Sequence, residues 1–360
     1  MAAGGFAQIA GAMHRTSAMQ EPTKNNSHRP EAYLLIFLGF IGAKMKKIHL
    51  CLYVVLVLFL NTTCKAEDEI LVPQIDGPFW QIAGNPDLGS YTSPKQQPVD
   101  FAIWRAADGT WQLWSCIRST KLPGKTRVFY RWQANNLTDT NWAPMGIAML
   151  SDPGFGEAEN GLQAPFVIKR GQSYFMFYGD WEHISMAVSK DGKTFARQLM
   201  PDGKSGLFTE GIGANTRDPM VLKIGDRYHL YYTAYPNNRG ADYVRTSSDL
   251  IHWGSSKVVS YGGKMGNGKY SAECPFVYYH QQSRYYYLLR NQFYGDKAQF
   301  AIYRSKDPNE FGYNDDSKFV ATMPYAAPEI VEYQRQTYIA VLRGDLKGIQ
   351  IAKLKWSKKD

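Results

Sequence analysis

One pattern recurs five times along the chain and constrains its fold more than any other feature. A short polar or acidic step leads into an apolar run, then a polar turn, then an aromatic-rich run. The step residues are Asp100, Ala164, Asp218, Cys274 and Ala327, separated by 53 to 64 residues, and Pro follows all but the first. The paired runs cover residues 99–104 and 111–114, 163–168 and 174–178, 217–222 and 228–232, 273–278 and 285–289, and 327–331 and 338–342. Each run has the length of a strand, and the gaps carry turn pairs such as Asp108-Gly109 and Gly225-Asp226, so each pair reads as a hairpin.

A third strand follows in most units, as at 184–188 and 300–303. A Ser/Asp turn then leads to an aromatic residue: Ser189 and Asp191 to Phe195, Ser248 and Asp249 to Trp253, Ser305 and Asp307 to Phe311. The remaining length fits a fourth strand. Four strands in roughly 50 residues is the period of a propeller blade. The expected fold is therefore all-β, a five-bladed β-propeller of four-stranded antiparallel blades. A β-sandwich is the competing fold, but it gives no reason for five units at near-constant spacing. The 14% aromatic content lies mainly in the repeated strands, where it would pack blade against blade.

The segment before the repeats reads differently. Apolar runs at 33–43 and 48–60 are each shorter than the roughly 20 residues of a spanning helix. The second follows Met45, Lys46 and Lys47 and ends at Cys64, Lys65 and Ala66, the layout of a secretory signal. The expected organisation is an upstream extension at 1–44, a signal peptide at 45–66 and a propeller at 67–360, with Met45 as the true start. An uncleaved membrane anchor, or a lipid anchor on Cys64, are the alternatives. Export to the periplasm or the extracellular space follows from this reading.

The formal charge of +9 then loses its force. Residues 1–66 hold seven of the 41 Lys and Arg and two of the 32 Asp and Glu, which leaves a net of +4 for the rest. The basic cluster beyond that point is the tail, a solvated end, so nucleic acid is not an expected partner. No membrane partner is expected for the mature chain, which is read as a monomer. Cys116 and Cys274 do not make a disulfide framework, and a buried free thiol is expected at Cys274.

In a propeller the innermost strands begin at a central channel, so equivalent steps converge on one axial pocket. Asp100, Asp218 and Glu273, one position before its step, would face that pocket from three blades. The Ala steps of blades two and five show that packing requires no carboxylate there. Converging carboxylates raise at least one pKa, which makes a general acid beside an ionised base or nucleophile. Two such groups flanking a glycosidic bond are what glycoside hydrolysis needs. Trp104 and Trp181 are candidates for stacking on sugar rings, Gln163 stands at the step of blade two, and Arg290 and Arg343 follow inner hairpins. No Cys/His cluster has metal-ligand spacing, and no organic cofactor is expected. The axial channel leaves room for a structural ion such as calcium.

Arg217-Asp218-Pro219 and Glu273-Cys274-Pro275 resemble the Arg-Asp-Pro and Glu-Cys motifs of glycoside hydrolase family 32. The same places are similar to the Asp-Pro and Glu-Gly-Pro steps of family 43. The resemblance spans residues 78–356 and implies a five-bladed hydrolase acting on fructosides, arabinosides or xylosides. It implies Asp100 as nucleophile (family 32) or general base (family 43). Asp218 would be the carboxylate that stabilises the transition state or tunes the acid, Glu273 the general acid, and Arg217 a ligand for sugar hydroxyls. Asp100 departs from the family 32 pattern because Phe101 follows it instead of Pro; Asp76 or Asp87 would be the replacement.

These readings converge on an exported glycosidase acting on an oligosaccharide or polysaccharide. A carbohydrate-binding propeller without turnover is the first alternative. A sialidase-like hydrolase is the second, because residues 189–195 resemble an Asp-box, but it would need six blades.

Overall fold

The computed structural model describes residues 69–359. The expected extension and signal peptide lie outside the described residues. Among the described residues no helix is long and apolar enough to cross a membrane.

Five antiparallel sheets make up the described chain. Strand β1 (Leu71–Gly84) comes first in sequence and last in its sheet. Blade one follows as β2 (Gln97–Arg105), β3 (Trp111–Arg118), β4 (Val128–Ala134) and β5 (Ala143–Met149). Blade two is β6 (Gln163–Arg170), β7 (Ser173–Gly179) and β8 (Ile184–Ser189), and its outer edge is split into β9 (Ala196–Arg197) and β10 (Gly206–Phe208), both paired with β8. Blade three is β11 (Arg217–Ile224), β12 (Arg227–Ala234), β13 (Ala241–Ser247) and β14 (Lys257–Ser260). Blade four is β15 (Glu273–His280), β16 (Tyr285–Phe293), β17 (Gln299–Ser305) and β18 (Phe319–Met323). Blade five is β19 (Glu329–Tyr333), β20 (Gln336–Leu342) and β21 (Gly348–Lys358).

The fourth strand of blade five is β1, which pairs antiparallel with β21 from Leu71↔Lys358 to Gly84↔Gly348. The first strand thus closes the ring on the last blade and satisfies a backbone edge that would otherwise be exposed. The repeat pattern did not reveal this, because β1 lies before the first unit.

The fold is the five-bladed propeller expected from the repeats. Its inner strands neighbour one another in the order β2, β6, β11, β15, β19. The aromatic residues lie where the blades meet. Phe129 of blade one meets Tyr178 of blade two edge-on at 6.1 Å, and Phe177 of blade two meets Trp253 of blade three at 5.8 Å. Tyr278 of blade four stacks on Trp356 of blade five at 5.6 Å, and Trp111 of blade one meets Tyr333 of blade five at 5.3 Å. Each such pair adds about 0.5–1.5 kcal/mol beyond the apolar area it buries.

The Ser/Asp turns are hydrogen-bonded as turns and not as ligand sites. Asp191 Oδ1 accepts from Ser189 Oγ and from the amides of Lys193 and Thr194, and Asp249 Oδ1 accepts from Ser247 Oγ and the amides of Ile251 and His252. With five blades closed by β1, the sialidase-like reading loses its architecture.

Candidate active site

The step residue of every blade adopts a left-handed backbone: φ is +41° at Asp100, +42° at Ala164, +57° at Asp218, +45° at Cys274 and +49° at Ala327. In four blades the pairing register jumps at this point, between Val99 and Phe101, Gln163 and Phe166, Arg217 and Met220, and Glu273 and Phe276. These are β-bulges, which bend a strand and re-aim its side chains. Pro at the next position has no N–H to leave unpaired where the ladder breaks. In blade one, where Phe101 replaces Pro, Ser115 Oγ donates to the Val99 carbonyl at 2.8 Å. The repeated step in the sequence is therefore one strained backbone device used five times around the axis.

These bulges present side chains to a cavity of about 400 Å³ at one end of the channel. Asp100, Gln163, Trp181, Arg217, Asp218 and Glu273 all line it. The other candidates do not. Trp104 is 7% exposed, donates from Nε1 to the Gly192 carbonyl at 2.7 Å and packs on Trp114 and Phe195. It lies in the strand after the bulge, which carries it into the contact between blades one and two, so its expected role on sugar is withdrawn. Arg290 is fully buried and donates to the carbonyls of Ser271, Gly262 and Gly266 and to Ser260 Oγ. Its guanidinium ties down the 260–271 segment, so it too is corrected from a sugar ligand to a structural clamp. Arg343 is engaged by Asp345 and Gln81. Asp76 pairs with Lys355 on the outer strand of blade five, and Asp87 caps a turn through Gly89 and Thr92. Neither lines the cavity, whereas Asp100 does.

The carboxylates are joined through buried partners. The Arg217 guanidinium hydrogen-bonds Glu273 Oε1, lies 3.5 Å from Asp218 Oδ2 and donates to the Asn215 carbonyl at 3.1 Å. Asp218 Oδ2 also accepts from the Cys274 amide at 3.1 Å, a bond between blades three and four. Asp100 Oδ1 accepts from the Tyr294 hydroxyl at 3.1 Å and from the Cys274 thiol at 3.3 Å. Arg217 thus directs three of its five N–H donors to the carboxylates and the Asn215 carbonyl while it also lines the cavity.

Burial drives the pKa values. It pushes Glu273 up, with Arg217 acting against it, and it pushes Asp218 up, with Arg217 again opposing while the Asp100 and Glu273 charges add to the rise. Burial also disfavours the Arg217 cation, but the Asp218 and Glu273 charges outweigh this and hold it protonated. Burial raises the Cys274 thiol, which stays neutral, and Cys116 and Cys274 are both free. A carboxyl whose pKa is raised, beside a second carboxylate, is the arrangement acid/base chemistry requires.

Other residues of the cavity carried no repeat signal. Arg118 ends β3 and Arg127 immediately precedes β4, and Asn215, Tyr235 and Tyr294 come from loops above blades three and four. Gln163 Oε1 and Asn215 Oδ1 are buried and have no hydrogen-bond partner, so each is an acceptor left for a ligand. Trp181 has φ +85°, a rare conformation for so large a residue. A further carboxyl, Glu329, lines the channel, and burial raises its pKa.

Asp100, Asp218 and Cys274 place ligand atoms within 4.8 Å of one another. Calcium takes six to eight oxygen ligands. Two carboxylates and a neutral thiol do not fit it.

No family model matches the chain, and no curated protein matches it in sequence. Solved structures do match in fold. A thermostable family 43 glycoside hydrolase superposes with a TM-score of 0.53 at 16% identity, covering 74% of this chain and 92% of that one. A family 43 enzyme from Xanthomonas citri in complex with xylose gives 0.52 at 14% identity over 73% and 89%. A family 32 β-fructofuranosidase from Bombyx mori in complex with sucrose gives 0.52 at 16% identity over 76% of this chain and 61% of that one. The likeness is one of fold, and it agrees with the resemblance carried by Arg217-Asp218-Pro219 and Glu273-Cys274-Pro275.

Proposed function

We propose that the chain is a glycoside hydrolase whose site is the cavity at the mouth of the channel. The observation that carries this reading is the convergence of Asp100, Asp218 and Glu273 from three blades on one cavity beside Arg217. Glu273, its pKa raised by burial, donates to the leaving oxygen. Asp100, fixed by Tyr294 and Cys274, activates water or attacks the anomeric carbon. Asp218, bonded to the Cys274 amide, holds the acid and faces the developing positive charge. Arg217 positions both buried carboxyls. Gln163 and Asn215 accept from sugar hydroxyls, and Trp181 offers a ring.

Solved structures of similar fold carry xylose, xylotriose and sucrose. Their sugars support an oligosaccharide or polysaccharide substrate of the xyloside, arabinoside or fructoside kind. The signal-like layout of residues 45–66 supports export, and the mature chain is read as a monomer. The test is a panel of nitrophenyl glycosides and plant or algal polysaccharides, with the product anomer followed by NMR. Release of sugar with a single initial anomer is expected. Binding without release across the panel would leave a carbohydrate-binding propeller instead.

A further inference from the structure

Three guanidinium groups line the cavity, and one is already committed to the carboxyls. Arg118 and Arg127 are not. Arg118 ends β3 and Arg127 immediately precedes β4, and the connection between them is held by bonds from Thr120 to the Thr126 carbonyl (3.1 Å), from Lys125 to the Glu159 carbonyl (2.9 Å) and from Arg127 to the Asn160 carbonyl (2.9 Å). Arg118 Nε donates to Gln97 Oε1 at 2.9 Å, and its guanidinium lies 5.6 Å over the Tyr294 ring. Arg127 has only the weak Cys116 sulfur acceptor at 3.6 Å and lies 5.1 Å over the Trp181 ring. Neither forms an ion pair among the described residues. Lys125, 4.4 Å over Trp181, and Lys269, 4.3 Å over Tyr235, add positive charge at the mouth.

Neither fork has a direct ionic partner: Asp100 acts on Arg127 and Glu273 on Arg118 only through space, and a neutral sugar would match the remaining donors poorly. Packing against Trp181 and Tyr294 explains where the side chains lie, and the Asp100 and Glu273 charges favour their cations, but neither accounts for two forks left without a bidentate partner. The planar fork of an arginine matches a carboxylate or a sulfate with two parallel hydrogen bonds. We propose that the cavity is built for a glycan carrying an anionic substituent, a uronate carboxylate or a sulfate, which Arg118 and Arg127 grip while the glycosidic bond lies over Glu273 and Asp100. This deepens the glycosidase reading and rests on it for the placement of the sugar.

The test is calorimetric titration of the full chain carrying Glu273→Gln, so that ligand is not consumed. Two pairs of probes are used: trigalacturonate against its carboxyl-reduced form, and a sulfated galactan tetrasaccharide against its desulfated form. At least one anionic probe should bind tenfold or more tightly than its neutral partner, and the pair that does so identifies carboxylate or sulfate. Adding Arg118→Gln and Arg127→Gln should abolish that preference while leaving the thermal midpoint close to the parent's; each substitution alone should remove part of it. Equal binding within both pairs, no binding of either anionic probe, or a preference that survives both substitutions would overturn the inference. The two readings fail separately. Anionic preference without turnover by the unmodified chain would sink the hydrolase and leave this inference standing. Turnover of neutral xylo-oligosaccharides without anionic preference would do the reverse.

Discussion

Asp242 on β13 gives the prediction that can be worked furthest. Its side chain is fully buried, and both carboxyl oxygens are without a hydrogen-bond partner. It faces Thr233 on β12 and Ser260 on β14, one strand behind the Arg217–Glu273 pair. Burial pushes its pKa from the ordinary 3.8 up to about 8; Arg290 opposes the rise, and Asp218 and Glu273 add to it. The folded chain therefore holds a proton that the unfolded chain releases above pH 3.8. Stability falls with rising pH wherever the folded state binds more protons. The Asp242 contribution is thus fully present below about pH 4 and is lost progressively up to about pH 8. At about 1.4 kcal/mol per pKa unit the span sets an upper bound of roughly 6 kcal/mol. Relaxation around a buried charge reduces this to about 2–4 kcal/mol. Asp242→Asn removes the titration. Urea unfolding of both forms from pH 4 to pH 9 should give nearly equal stabilities at pH 4 and a variant more stable by that amount at pH 8. A difference that does not change with pH would refute the reasoning, because burial would then not be holding the proton on Asp242.

Trp104→Phe leaves the Gly192 carbonyl unpaired and should cost about 2 kcal/mol of stability by chemical denaturation with KM unchanged. Trp181→Ala should do the opposite, raising KM about tenfold while the unfolding midpoint moves little. Removing residues 69–84 takes β1 away and leaves β21 as an open edge. The truncated chain should lose its single cooperative calorimetric transition and self-associate in size-exclusion chromatography; a monomer melting as before would contradict closure by β1.

The fold was legible because a propeller repeats its local chemistry. A short polar, acidic or small step stands at a fixed place before an apolar run, followed by Pro in four of the five units, and Asp100, Ala164, Asp218, Cys274 and Ala327 could be aligned on that ground alone. The three carboxyls followed from the same alignment, since a step occupied by Ala in two blades and by acid in two others marks an acid that packing does not demand. What lacked a repeat stayed hidden. The β1 strand pairs with a partner more than 260 residues away, and nothing in its own pattern names that partner. Trp104 and Trp181 are both tryptophans near a blade step. The bulge turns the first into the blade interface, and the left-handed turn at 181 brings the second into the cavity. Arg118 and Arg127 sit at hairpin ends where a basic residue is ordinarily solvated, and only the closing of the ring brings them to the cavity that Arg217 lines. Arg290 shows the converse, an arginine at a hopeful position whose donors are consumed by its own blade's loops.

In the proposed reaction Glu273 delivers the proton to the leaving group. The direct measurement is kcat for the unmodified chain and for Glu273→Gln on two substrates of the same sugar, an unactivated oligosaccharide and a dinitrophenyl glycoside whose leaving group needs no proton. A loss of about 10²–10⁴ is expected on the oligosaccharide and a much smaller loss on the dinitrophenyl glycoside. Equal losses on both, or an unimpaired variant, would contradict it.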